Sequence, residues 1–316
     1  MRRYIHSMEH ESDKAHHRAT TARTQLVDAL RTAVTLAAGS LDTVDTPASR
    51  REAVRGARRA LKSVRALAPL CRNGHREGGV DQAIASVLEF SAKANQMLGP
   101  LRDRDALLRS IHRLVDRFAD AQTRTVARTV LVATLIHSEG ERRDDAAYAG
   151  VSIERAHRAL RAARGAVAHL GIEGAFDPAH ATTLVLRAFR DCRTELSAAL
   201  EASDLVRLHD CRKMATFLAL ALRPFEDDVP AAVARMRSRA KRLAAALGED
   251  RDLALLDVEM SAARAQLAGS PLATAIDDAV RLARIEALAR VEDAAASFLR
   301  VRRGGVRRGV RELLGA

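Results

Sequence analysis

Five basic side chains between residues 55 and 65 fall on one face of a predicted helix. After the first of them, the others follow at i+3, i+4, i+7 and i+10, positions that share one side of a helix with about 3.6 residues per turn. Like charges at these spacings repel by about a few tenths of a kcal/mol per pair, and no acidic residue is interleaved with them. A face that tolerates this repulsion is suited to receive an anion, although a solvated basic face is the simpler alternative. The five residues are Arg55, Arg58, Arg59, Lys62 and Arg65.

A second, smaller group of cations lies in the other half of the chain. His209, Arg212 and Lys213 occupy i, i+3 and i+4, so they also share a helix face. A phosphate that accepted a hydrogen bond from His209 would raise the protonated fraction of its imidazole. A single helical histidine is more often structural, but its two cationic neighbours favour an anion site. Thr216 stands where a further cation would continue the stripe, so this group carries less charge than the first.

A short string of the form Leu-Gly-x-x-Arg-Asp occurs twice, ending at Arg102-Asp103 and at Arg251-Asp252. Each copy follows a basic stripe at a similar distance, which indicates an internal duplication. The two arginines are therefore candidates for the same anion site. An equally weighted alternative is structural: Asp103 and Asp252 would cap helix starts, and the arginines would pair with neighbouring carboxylates.

Composition favours a polyanionic partner and excludes several other classes. The 316 residues contain 52 Lys and Arg against 40 Asp and Glu, a formal net charge of +12, for which general solubility is the alternative explanation. Three cysteines without Cys-x-x-Cys spacing predict neither a disulfide framework nor a zinc site. No phosphate-binding loop, nucleophile elbow or His-Glu-x-x-His motif is present, so no metal, cofactor or catalytic residue is expected.

Helical periodicity dominates the chain, and no segment alternates long enough to predict a strand, so the predicted fold is all-α. In the first basic helix, Val54, Ala57, Leu61, Val64 and Leu67 form the face expected to pack. Residues 1–17 are expected to be disordered, 18–145 to form one helical bundle and 146–316 a second. Later helices are expected at about 152–170, 179–201, 204–223, 230–247, 250–268 and 271–313. With no apolar run long enough to span a membrane and no signal segment, a cytoplasmic location is expected.

The sequence resembles the CHAD domain family, whose name refers to a histidine-containing α-helical domain. The resemblance rests on the segment Val54–Lys62 with Arg65, on Leu208–Lys213, on both repeated strings, and on Arg161 and Arg164. It implies two pseudo-symmetric four-helix bundles that bind inorganic polyphosphate in a basic channel formed by these helices. Two positions depart from the family pattern: Arg55 replaces a histidine, and Thr216 replaces a basic residue.

Three functions follow as hypotheses from these residues. The first is non-catalytic binding of polyphosphate, with targeting to polyphosphate granules as a related role of the same surface. The second is binding of a nucleic-acid backbone, which the scarcity of aromatic residues disfavours, since single-strand binders use aromatic stacking platforms. The third is a hydrolase built on the dipeptide His209-Asp210, but the further metal ligands that such an enzyme needs are not evident in the sequence.

Overall fold

Helices form all the regular structure in the part of the chain that the structure describes, which confirms the all-α class. The computed structural model describes residues 2–42, 44, 46–73, 79–118, 120–140, 145–170, 176–202, 204–226, 228–260, 267 and 269–316. The cause is compositional, because Ala, Leu, Arg and Glu are strong helix formers and Pro occurs only seven times.

Eleven α-helices lie within these described ranges, and two short 3-10 turns, Ala68–Cys71 and Arg223–Phe225, follow α2 and α8. The helices are α1 Arg2–Gly39, α2 Pro47–Leu67, α3 Gly79–Met97, α4 Gly99–Val115, α5 Ala121–Gly140, α6 Asp145–Ala168, α7 Pro178–Ala202, α8 Leu205–Ala221, α9 Ala231–Glu259, α10 Pro271–Leu299 and α11 Arg303–Leu314.

The main apolar core joins both halves of the sequence. Leu26 of α1, Val64 of α2, Val185 of α7, Leu218 of α8 and Phe298 of α10 all belong to one buried cluster. A second cluster joins α1, α2, α3 and α6, and a third joins α4 and α5 to the later part of α9 and to α10. The two halves are therefore not packed as independent cores.

The predicted boundary between residues 145 and 146 does not follow this packing. Helix α6 begins at Asp145 and packs mainly on α3 and α1, through buried residues that include Ile153, Ala156 and Leu160. The sequence places this helix in the second bundle because residues 140–150, which are charged and contain two glycines, indicate a connector. These residues pack on the first group of helices, while Ala163 and Val167 of the same helix belong to the main core that joins both halves.

Residues 1–17 were expected to be disordered, but α1 begins at Arg2. The first 38 residues contain neither Gly nor Pro, so nothing in the backbone chemistry interrupts the helix that packs from Ala22 onward. The polar composition of this segment concealed its continuity with the packed part of α1.

Two further boundaries differ from the sequence prediction. The predicted helices 230–247 and 250–268 are one helix, α9, which continues through Gly248. The predicted helix 271–313 is divided into α10 and α11 after Leu299. Arg193 of α7 stabilises this second break, because its Nη1 donates to the carbonyl oxygens of Leu299 at 2.6 Å and of Val301 at 3.2 Å. These contacts satisfy carbonyls at a helix end that would otherwise lack partners.

Close packing of α11 on the start of α9 gives a test of the fold. A Cβ at Gly309 would lie 2.8 Å from Cγ2 of Val233 and 3.1 Å from Cβ of Pro230. We expect Gly309→Ala to lower the free energy of unfolding by about 1–3 kcal/mol, the usual cost of overpacking a core, as measured by urea denaturation.

The control is Gly304→Ala in the same helix, where an added Cβ meets no atom within 4 Å. This change should be neutral or slightly stabilising, since alanine favours a helix over glycine by up to about 1 kcal/mol. Equal stability of the two variants would contradict the packing of α11 described above.

A basic groove between α2, α4, α8 and α9

Helix α2 presents its cations beside a buried apolar face. Thr46 and Ser49 form a capping box at its start, with Ser49 N donating to Thr46 Oγ1 at 3.1 Å. The predicted packing face is confirmed, since its five members, from Val54 to Leu67, are all buried. This face directs Arg58, Lys62 and Arg65 along the flank of the helix that packs on α8.

Helix α8 supplies the second group of cations by the same arrangement. Leu208, Cys211 and Ala215 are buried in the core, so the positions between them lie at the border of the core. There His209 and Arg212 are half-buried, while Lys213 is exposed. Packing of α8 on both α2 and α9 brings this border next to the cations of α2.

Both copies of the repeated string reach the same place. Gly99 and Pro100 open α4 directly after α3 ends at Met97, so Arg102 projects from the start of a new helix. In the second copy the helix does not break, and Gly248 instead makes room for a neighbour. A Cβ at this position would lie 3.3 Å from Nη2 of Arg212, so the missing side chain lets the guanidinium rest against α9.

Residues from both groups and both strings line one cavity of about 430 Å³. We call it the basic groove, and it is lined by seven Lys or Arg side chains and one histidine against a single aspartate. A cavity of this composition can hold an extended anion through charge-assisted hydrogen bonds. Its charged lining residues are Arg58, Lys62, Arg65, Arg102, Asp103, His209, Arg212, Lys213 and Arg251.

The cations of the groove are close enough to shift one another's pKa. The pKa of Arg58 is lowered to about 10, first by burial and then by the nearby charges of Arg102, Arg251 and Arg65, against the opposing effect of Asp103. The side chain of Lys62 is exposed to solvent, but the walls of the groove displace part of the water around it. Burial is therefore the main cause of its lowered pKa, and the charge of Arg212 is the next. The surroundings in the groove therefore disfavour the charged forms of these side chains, and a bound anion would favour them.

Backbone and carboxylate contacts hold two of these arginines in place. Arg58 Nη1 donates to the carbonyl oxygen of Asn95 at 3.1 Å, in the last turn of α3. Arg102 lies 2.8 Å from Asp103 through Nη1 and 3.7 Å from Asp252 through Nη2, so one guanidinium joins the aspartates of both repeated strings. The ion pairing that the structural interpretation expects is thus seen at Arg102.

The same interpretation is wrong about helix capping. Asp103 lies after the first turn of α4, whose N-cap residue is Leu98, and Asp252 lies deep inside α9. Neither carboxylate can accept hydrogen bonds from the free N–H groups of a helix start at these positions. The two aspartates serve instead to orient Arg102.

Four of the predicted site residues lie outside the lining of the basic groove. Arg55 is exposed and pairs with Glu52 at 3.3 Å and with Asp105 at 3.5 Å. Arg59 is exposed on α2, and Arg161 and Arg164 are exposed on α6, which packs on α1 and α3 rather than near α8. Their part in binding remains a prediction from the sequence.

Other residues of the groove were not anticipated from the sequence. Asn95, Gln96 and Phe217 also line it, and a neighbouring cavity is lined by Lys241 and Arg113. Helical spacing could have predicted that Lys241 and Arg113 lie on this side of the protein. Arg113 follows Arg102 by eleven residues, or three helical turns, and Lys241 precedes Gly248 by seven residues, or two turns. Asn95 offers only its backbone oxygen to Arg58, which no residue pattern encodes.

A larger cavity of about 770 Å³ lies along α10 and has the opposite character. Four carboxylates line it against two arginines, Arg281 and Arg284, together with exposed aliphatic side chains such as Ile285. Arg284 Nη1 already lies 3.0 Å from Asp257. Despite its size, this cavity is electrostatically unsuited to a polyanion.

The described residues lack two other kinds of functional feature. No group of three or more His, Cys, Asp or Glu side chains in the described ranges is arranged to hold a metal ion. Among the described helices, none combines the length and hydropathy that crossing a membrane requires.

Comparison with models of protein families matches residues 41–261 to the CHAD domain. The matched segment covers well over half of the 316 residues and contains every helix that lines the basic groove, from α2 to α9. No match was found among curated proteins or among solved structures.

The imidazole of His209 gives a direct test of the groove's electrostatics. Burial lowers its pKa from the ordinary value, and Arg251, Lys213 and Arg212 lower it further, against a smaller opposite effect of Asp210. In the ligand-free protein we expect His209 to titrate below about 6.5 by NMR. Arg251→Gln should raise this pKa, because it removes the strongest of the neighbouring positive charges.

The matched control is Arg235→Gln, on the same helix as Arg251 but exposed and outside the groove lining. It should leave the titration of His209 unchanged. A His209 pKa that did not respond to Arg251→Gln would show that the two side chains do not share one site.

Proposed function

The chain belongs to the CHAD domain family, and we propose on this basis that it binds inorganic polyphosphate without cleaving it. The observation that carries the proposal is the basic groove itself, in which seven Lys or Arg side chains face one aspartate. Arg58, Lys62 and Arg65 of α2 form one wall, and the cations of α8 form the other. Arg102 and Arg251 add one guanidinium from each repeated string.

The chemistry of the ligand suits this groove. Polyphosphate is a flexible chain with a charge on every repeating unit, so successive phosphates can each face a cation without any sequence being read. Guanidinium groups form bidentate hydrogen bonds with phosphate oxygens, and five of the seven cations are arginines. Binding also reverses the mutual repulsion of cations that the empty groove holds close together.

The pairing of helices supports the two-bundle arrangement that the family resemblance implies. Helices α1 and α2 pack together in the first half as α7 and α8 do in the second, and α3 packs on α6 as α9 packs on α10. We propose that the groove lies where these two pseudo-equivalent groups of helices meet, with α2 from one against α8 from the other. This position would give each half of the duplication one wall of the site.

Nucleic acid would compete for the same cations through its phosphates. The groove lining contains a single aromatic side chain, Phe217, which limits the stacking that single-strand binders use. We therefore place polyphosphate ahead of RNA or DNA. Competition between polyphosphate and a single-stranded oligonucleotide would rank the two directly.

Charge reversal in the groove tests the proposal. Arg58→Glu replaces attraction by repulsion at a half-buried position while keeping a good helix former, so we expect polyphosphate affinity to fall by about 100-fold or more in titration calorimetry. Arg59→Glu, one residue away but outside the groove lining, should have a much smaller effect. Wild-type affinity should also fall steeply as salt rises, as expected for several phosphate contacts.

Arg235→Glu controls for the change in net charge, and circular dichroism with thermal unfolding checks that each variant is folded. Equal loss from Arg58→Glu and Arg235→Glu would locate the effect in overall charge and contradict the proposed site. Release of orthophosphate from polyphosphate by the wild-type protein, abolished by His209→Gln, would replace the binding proposal with a hydrolase.

Binding should also depend on pH through His209. Its pKa is lowered in the free protein, and a bound polyanion would raise it, so binding takes up a proton when the pH lies between the two values. Affinity should therefore rise as the pH falls from about 7.5 to about 5.5. His209→Gln should flatten this dependence, and comparison of the two proteins on the same ligand cancels the titration of the ligand itself. An identical pH profile for both proteins would exclude His209 from the contact.

A further inference from the structure

A second cavity of about 470 Å³ adjoins the basic groove. The two cavities share Lys62, Arg212 and Thr216 as lining residues. The shared residues belong to α2 and α8, which pack on each other, so the second cavity continues the groove past this pair of helices. None of its other lining residues belongs to the candidate site derived from the sequence.

Lys241 and Arg113 bring positive charge to the second cavity. Lys241 is exposed on α9 and makes no ion pair within the described residues, while Arg113 of α4 lies 3.6 Å from Glu249. Glu249 also lies 3.1 Å from Arg290, so two arginines offset this single carboxylate.

The remaining carboxylate of the second cavity is also engaged. Asp252 faces the guanidinium of Arg102 at 3.7 Å, and it opposes the lowering of the pKa of Arg212 and of Lys62. Four cations against two partnered carboxylates make the second cavity positive, but less so than the basic groove.

Small side chains line part of the border between the two cavities. Thr216 lines both cavities at the position where the first stripe has its counterpart in Lys62, so a short hydroxyl side chain takes the place of a long cation. On α9, Ala244, Ala245 and Gly248 line the second cavity between Lys241 and Asp252. An unbranched chain of phosphates is narrow enough to benefit from such a passage, because it carries no base or sugar.

We infer that a bound phosphate chain extends past Lys62, Arg212 and Thr216 into the second cavity, where Lys241 and Arg113 provide further contacts. The inference rests on the proposed function and adds a subsite to it. Short chains fill the more strongly charged basic groove, and longer chains occupy both cavities. The second contact is then intramolecular, so it adds affinity through a high effective concentration.

Chain length separates this subsite from the basic groove experimentally. We expect Lys241→Glu to weaken binding of long-chain polyphosphate by about tenfold, which corresponds to about 1.4 kcal/mol. The affinity for tripolyphosphate, which is accommodated in the basic groove, should change by less than about twofold, which is a small difference in binding free energy. Arg235→Glu introduces the same charge change on the same helix, outside the lining of either cavity, and should affect neither ligand.

A charge-neutral variant tests the passage itself. Ala245→Met, at an exposed position that lines the second cavity but not the basic groove, should narrow the second cavity without altering the charge. It should therefore reduce the advantage of long chains over tripolyphosphate while leaving tripolyphosphate affinity close to that of the wild type. Thermal unfolding of each variant verifies that the helices remain folded.

The outcomes distinguish the inference from the proposed function. Equal losses for both ligands in Lys241→Glu would indicate repulsion at a distance and overturn the subsite, as would long-chain binding that neither variant changes. Failure of the wild-type protein to bind either ligand would overturn the proposed function itself.

Discussion

Apolar packing of α2 against α8 holds like charges together, and the character of the groove depends on it. Burying Leu61 or Val64 fully contributes about 1.5–3 kcal/mol each. Repulsion between neighbouring helical cations costs only about a few tenths of a kcal/mol per pair. The core therefore dominates, and the cations are held at the positions that the buried faces dictate. The pKa values of Arg58 and Lys62 are lowered first by burial and then by the repulsion that remains.

Two aspartates limit this repulsion without neutralising the groove. Asp103 and Asp252 converge on the single guanidinium of Arg102, which lies at the start of α4 and is the only residue to join both repeated strings by ion pairs among those described. Their ion pairs orient Arg102, while their charges only partly oppose the lowering of the pKa values of Arg58, Lys62 and Arg212. In this way one ion-paired residue joins the two repeated strings in the basic groove.

The sequence predicted which helices carry charge but not which charges face one another. Periodicity identified the buried face of α2 correctly, since Ala57 and Leu61 are fully buried, yet it placed Arg55 with Arg58 on a single stripe. Only the side of that stripe nearest α8 lines the groove, and the position of α8 is a tertiary property. For the same reason nothing in the sequence indicated that α6 lies against α1 and α3, which carries Arg161 and Arg164 away from the groove.

Glycine shows the same limit of local reasoning. Gly248 predicted a helix end, but α9 continues through it, because glycine inside a helix costs only about 1 kcal/mol relative to alanine. Its role is visible only in three dimensions, where the absent side chain leaves space for Arg212. At Gly99 an added Cβ would meet no atom within 4 Å, and the Pro that follows it opens a new helix. The first copy of the string thus lies at a helix break, and the second copy lies inside a helix where its glycine leaves space for Arg212.

The departures from the family pattern give the two walls different properties. On α2, the histidine position is occupied by Arg55, which is paired with carboxylates, and the groove-facing cations beyond it carry charge at all physiological pH values. On α8, His209 is the only groove-lining side chain with an ordinary pKa near neutrality, and Thr216 is the short residue at the junction of the cavities. The cations of α2 therefore attract an anion to the same extent across the physiological pH range. Under the proposed function, pH and the length of the ligand act at the second wall, because His209 and Thr216 lie two turns apart on the same helix.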